Sequence, residues 1–149
     1  MDFTKQRFQL DLWVSARALP IRIYGRPLSE ILDMFRYSAK PYRGLSVDYI
    51  LSSTHRVLRR PFFMRDRRCL REGLLAFRFL EAAGFSPELH FGIDHRPLAG
   101  SDVRAHCWVV CGSRTVLNPP TGDMKEILVW PNVSPSSGTP TNLTQARFD

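Results

Sequence analysis

The sequence has no apolar run approaching the ~20 residues that a membrane-spanning helix requires. It also lacks the marks of a secretory signal. The opening MDFTKQRFQLDLW alternates charged and apolar residues, with no continuous apolar segment and no small-residue cleavage site. A cytoplasmic protein without a membrane partner is the expectation. Cysteine is scarce, with only Cys69, Cys107 and Cys111, and an odd number without an export signal argues against a disulfide framework. Cys107 and Cys111 stand inside a strand pattern rather than in the tight C-x-x-C turns of zinc sites, so no metal and no cofactor are expected. Acidic residues are in deficit, 14 against 21 Lys and Arg, for a net charge of +7. Much of the excess comes from Arg56, Arg59, Arg60, Arg65, Arg67, Arg68 and Arg71, set against Asp66 and Glu72. Such a run is either a solvated face or a surface for an acidic peptide or protein. There is no zinc finger, RNA-recognition signature or aromatic-interleaved basic repeat, so nucleic acid is not an expected partner.

What is present fits one domain with a single hydrophobic core. From Phe3 to Leu19, Phe8, Leu12 and Ala16 recur at helical spacing, and Pro20 is expected to stop the helix. Pro27 stands where a second helix favours its first residue, ahead of Leu28, Ile31, Leu32 and Phe35. Ser46 is suited to cap a third helix with an inner face of Val47, Ile50, Leu51, Thr54 and Val57, and Asp48 favours its positive end. These sixty residues read as a helical layer whose apolar stripes belong to the core.

After the break RRPFFMRDRR, the segment CLREGLLAFRFLEAAGF is helical and ends at Gly84. Leu70, Leu74, Leu75, Phe77, Phe79 and Leu80 cover more than one of its faces, which predicts a helix packed between a sheet and other helices. The period then changes to two. Leu89, Phe91 and Ile93 alternate with Glu88, His90 and Gly92 as a strand, RAHCWVVCGSRTVLNPP reads as a hairpin, and a further strand is expected near Ile127 to Trp130. The fold class is therefore α+β: a helical layer over 1–60, a core over 61–130 carrying a central helix on a small antiparallel sheet, and a flexible polar tail over 131–149.

Cys69 opens the central helix, where unpaired N–H groups, the positive end of the helix dipole and neighbouring arginines favour a thiolate. A histidine on a strand, His106, and a polar residue on the next strand complete a nucleophile, a base and an orienter. Strand alternation turns Cys107, Val109 and Cys111 one way and His106, Trp108 and Val110 the other, so Cys107 and Cys111 read as packing residues.

Cys69-Leu70 opening a helix, Gly84 ending it, Gly92-Ile93 at a strand end, and His106-x-Trp108-Val109 before a short hairpin resemble the transglutaminase-like leader peptidases of lasso peptide biosynthesis, the B proteins. The likeness covers residues 56–120 well and the N-terminal helices more loosely. It implies a papain-like cysteine protease that cuts the leader from a ribosomally made precursor peptide, with Cys69 as nucleophile and His106 as base. The third position, twelve residues after the histidine, is Asn118, where the family usually has aspartate; Asp102 and Asp123 are the nearby carboxylates. By the same implication a separate recognition protein delivers the precursor and an ATP-dependent cyclase receives the product. The N-terminal helices or the arginine-rich stretch are either the docking surface or simply part of the core.

Two details remain. A two-residue Gly112-Ser113 turn would put Asn118 on the wrong face for His106, so a three-residue connection or a bulge near Gly112 is expected. The Cys69 N–H offers one oxyanion donor, and no glutamine precedes it closely, since the glutamines are Gln6, Gln9 and Gln145. Alternative readings are an acyltransferase or transamidase of the same chemistry, an inactive peptide-binding module, and, last, a basic nucleic-acid binder.

Overall fold

The computed structural model describes residues 3–59, 67–94 and 104–131. The break after Arg59, the connection holding Asp102, and the tail beyond Pro131 lie outside the described residues, and so do Arg60, Arg65 and Asp66. Four helices precede four strands: α1 (Phe3–Ile23), α2 (Leu28–Met34), α3 (Val47–Leu58), α4 (Arg68–Ala83), β1 (Pro87–Asp94), β2 (Ala105–Cys111), β3 (Arg114–Leu117) and β4 (Met124–Trp130). This is the α+β order expected from the sequence. No described helix is long and apolar enough to cross a membrane.

The buried stripe of α1 is Phe8, Leu12, Ala16, Leu19 and Ile23, at spacings of three and four. Pro20 does not end this helix, contrary to the sequence expectation. It removes one donor, but its own carbonyl accepts the Tyr24 N–H at 3.1 Å, and burial of Leu19 and Ile23 on either side of it favours a further turn. Pro27 caps α2 rather than opening it, in extended backbone. Ser46 caps α3, its Oγ accepting the Tyr49 N–H at 3.3 Å, with Asp48 in the first turn. The face of α3 turned fully inward is Ile50, Ser53, Thr54 and Leu58. Its hydroxyls are satisfied there: Ser53 Oγ accepts from Gln9 Nε2 at 2.9 Å, and Thr54 donates to the Ile50 carbonyl at 2.9 Å.

Helix α4 is the middle layer, with α1 and α3 against one side and β1 and β2 against the other. Leu74, Leu75, Ala76, Phe77 and Leu80 have no exposed surface. Burying each large one of these stabilises the fold by about 1.5–3 kcal/mol. Gly84 ends α4 at φ 95°, and the Phe85 N–H reaches back to the Leu80 carbonyl at 3.0 Å. The helix seats deeply on the sheet because Gly73 has no side chain. A Cβ there would lie 2.7 Å from Cys107 Sγ and 3.1 Å from Leu89 Cδ2.

The sheet is antiparallel in the order β3-β2-β1-β4, so the last strand pairs with the first. It extends three residues earlier than expected, to Met124. Two register slips interrupt the sheet. In β4, Phe91 pairs with Leu128 but Gly92 pairs with Glu126, which leaves Ile127 as an extra residue. In β3, Val110 pairs with Thr115 but Val109 pairs with Leu117, which leaves Val116 extra.

The Gly73 contact is directly testable. Gly73→Ala gains helix propensity of about 0.5–1 kcal/mol but overpacks against Cys107 by about 1–3 kcal/mol. Thermal unfolding of Gly73→Ala is expected to show net destabilisation, and adding Cys107→Ala should recover most of it. A single variant more stable than the parent would refute the contact.

Candidate active site

Cys69 is the second residue of α4 and lies one turn before Gly73, on the side of the helix turned to the sheet. It is half-buried and reduced. The residue before the helix, Arg67, caps it in the left-handed conformation, φ 56° and ψ 37°, without a side-chain cap. For a residue other than glycine that conformation costs roughly 1–2 kcal/mol. The first backbone bond of α4 runs from the Arg71 N–H to the Arg67 carbonyl at 3.1 Å, so the N–H groups of Arg68, Cys69 and Leu70 precede the helical ladder.

Across from this turn, a cavity of about 250 Å³ is lined by Cys69, Leu70, Phe91, Gly92, Ala105, His106, Cys107, Ile127 and Leu128, with Leu28 and Arg67. The structure thus brings Cys69 and His106 to the walls of one space. The imidazole itself lies on the face of the sheet away from α4. Cys107 fills the α4 side, and alternation sends His106 and Trp108 to the other. His106 stacks on Trp108 at 6.2 Å between ring centres, and Trp108 stacks on His90 at 5.6 Å.

Asn118 meets His106 in an unexpected way. The hairpin does turn through Gly112 and Ser113, with Gly112 at φ 66° and Cys111 opposite Arg114. The slip that corrects the parity lies at Val116 rather than near Gly112, and it brings Asn118 round to the His106 side. Asn118 then leaves the strand at φ 50°, a conformation that asparagine tolerates better than most residues. This turn aims its main-chain carbonyl, not its side-chain amide, at His106 Nε2, 3.0 Å away. The side-chain Nδ2 is buried with no hydrogen-bond partner among the described residues.

A carbonyl oxygen can only accept. Nε2 therefore carries the hydrogen, and in the neutral ring Nδ1 keeps the lone pair and is the basic atom. Among the described residues no hydrogen bond joins His106 to Cys69. Asp123 is exposed.

The other two cysteines differ in kind from Cys69. Cys107 is 2% exposed, and burial, with the nearby Cys69 charge second, pushes its thiol far above the ordinary range. Cys111 is also pushed up by burial, partly offset by a backbone hydrogen bond at Ser86. Two polar clusters around the site were not foreseen. Glu72, 3% exposed and one turn after Cys69, accepts from His55 Nδ1 at 2.8 Å across α3 and α4. An acid one turn into a helix apolar on two faces was the available signal, since a buried carboxylate needs a partner. His90 lies between Glu126, 2.6 Å from Nδ1, and Glu88, 3.3 Å from Nε2. Glu88 and His90 share one strand face in the sequence, whereas Glu126 arrives only through the sheet order. No three His, Cys, Asp or Glu side chains gather to hold a metal ion among the described residues.

Compared with known families, residues 16–128 match the description of the Transglutaminase-like superfamily. No curated protein and no solved structure gives a significant match.

Two expected outcomes follow from this geometry. Iodoacetamide at neutral pH should label Cys69 well ahead of Cys111, and Cys107 last, as read by peptide mass spectrometry. Asn118→Gly keeps both the backbone conformation and the carbonyl, so labelling of Cys69 should stay within about twofold of the parent. Asn118→Val, a β-branched residue at positive φ, should slow it several-fold. Equal loss in both variants would return the role to the amide.

Proposed function

The chain belongs to the transglutaminase-like superfamily, and on that premise we propose that it is a cysteine peptidase removing the leader from a ribosomally made lasso-peptide precursor. The observation that supports the reading is that Cys69, opening a helix, and His106, whose tautomer is set by the Asn118 carbonyl, line one cavity. The resemblance of its residue motifs to those of the lasso leader peptidases supports the substrate class.

In this mechanism Nδ1 of His106 takes the Cys69 proton and the thiolate attacks the scissile carbonyl. The oxyanion forms beside the free N–H groups of the first turn of α4, with Cys69 N–H the nearest donor. The imidazolium then gives its proton to the leaving amine, and the acyl group stays on Sγ as a thioester. Water, deprotonated by His106, completes hydrolysis and restores the thiol. Closing the thiol–imidazole pair needs the His106 ring to swing from the outer face of the sheet toward α4. Catalytic contacts of this kind are commonly loose before substrate binds. The main-chain carbonyl orients the imidazolium without adding a full negative charge. The ion pair with the thiolate supplies the rest of its stabilisation, as in cysteine proteases that use asparagine.

The reaction is cytoplasmic in this reading, with a separate protein presenting the precursor and an ATP-dependent cyclase taking the freed core peptide. Cys69→Ala should abolish cleavage of the cognate precursor with the thermal unfolding midpoint essentially unchanged, and His106→Ala should lower it by at least about a hundredfold. Product mass then separates the chemistries: hydrolysis adds one water, whereas transfer to an amine adds the amine. Full processing by Cys69→Ala would overturn the proposal.

A further inference from the structure

The cavity beside Cys69 has walls that the catalytic chemistry does not require. Acyl transfer needs a thiol, a base and an oxyanion donor, all polar. Away from Arg67 and His106 the lining is Leu28, Leu70, Phe91, Ala105, Ile127 and Leu128, with backbone at Gly92 and the two thiols. Its volume of about 250 Å³ is large for such a lining. A void of about 150 Å³ walled by leucine, isoleucine and phenylalanine takes up benzene.

Two sequence features shape the strands at the cavity wall. Gly92 stands where any Cβ would lie 2.9 Å from Trp108, so only hydrogen fits between the ring and this strand. Ile127 is the extra residue of the β4 bulge, and the slip sets it at the cavity wall although it is 42% exposed. An apolar residue that exposed, at the mouth of an apolar cavity, has lost contact area that an occupant would restore.

We propose that this cavity is a specificity pocket for a large aliphatic or aromatic side chain of the acyl donor, within a residue or two of the scissile carbonyl. The inference rests on the proposed nucleophile and adds the substrate class. A side chain seated among Leu28, Phe91 and Ile127 belongs to the part of the substrate retained on Cys69 as the acyl-enzyme. It therefore holds the carbonyl at the thiol through both half-reactions. A carboxylate or ammonium entering there would lose its water without gaining a partner among the aliphatic walls, so acidic and basic side chains are rejected.

The test uses the full chain and needs no precursor. Labelling of Cys69 is timed with three probes of like reactivity: chloroacetamide, N-benzyl-chloroacetamide and the N-carboxymethyl analogue. The benzyl probe is expected to react at least about tenfold faster than chloroacetamide and to saturate with concentration, and the carboxymethyl probe should show no gain. Filling the pocket by Ala105→Phe should bring the benzyl-to-plain ratio close to one. Ile127→Trp is the second filling variant should the first fail to fold by circular dichroism. A ratio near one in the parent, or a high ratio untouched by either filling variant, overturns the inference. The underlying reading is judged separately by His106→Ala with plain chloroacetamide. Slower labelling there beside an unfavourable ratio sinks the pocket alone, whereas unchanged labelling removes the activated thiol as well.

Discussion

The depth at which α4 sits on the sheet sets everything else. Gly73 lies against Cys107 and Leu89 with no room for a methyl group, and this contact draws the helix axis close to β1 and β2. One turn earlier on the same helix side is Cys69. The thiol is carried to the sheet by the packing beneath it, not by any bond of its own. The backbone turn at Arg67 starts the helix abruptly at that depth, with the first-turn N–H groups not yet committed to the helical ladder. Small residues at a contact and a sharp helix start are cheap structural means. Together they hold a nucleophile beside a row of donors.

The sheet contributes through its irregularities. A regular ladder would send Asn118 to the face away from His106 and leave Ile127 paired in the strand. Each slip adds one residue and reverses the parity beyond it, so one bulge turns Asn118 to the His106 face and the other sets Ile127 at the cavity wall. On the outer face the ladder His90–Trp108–His106 is closed at one end by two carboxylates and at the other by a carbonyl, with a buried indole between. The imidazole is thus supported along its plane and at one nitrogen before any substrate arrives.

Much of this was legible in the residues. The central helix and its glycine stop, the Ser46 cap, the alternating strands and the need for a bulge in the hairpin all follow from local patterning, which acts over a few residues. Misreadings arose where distant parts of the chain decide. Pro20 reads as a stop on local grounds, yet burial of Leu19 and Ile23 against the other helices carries α1 past it. The pairing of β4 with β1 brings Glu126 to His90 and Ile127 to the cavity, and no short-range signal encodes that order. For Asn118, position and face were foreseeable while the contacting atom was not. A left-handed backbone exchanges which polar group points at the ring, and one sequence letter does not specify φ.

The use of a main-chain oxygen at position 118 bears on how such a chain can change by mutation. No codon substitution deletes a peptide carbonyl. What selection can act on there is whether the residue tolerates the turn, and glycine and asparagine do so more readily than most residues. Sites built this way keep a histidine oriented while the side-chain alphabet drifts, so an unfamiliar third letter in the row is weak grounds for declaring the chemistry lost.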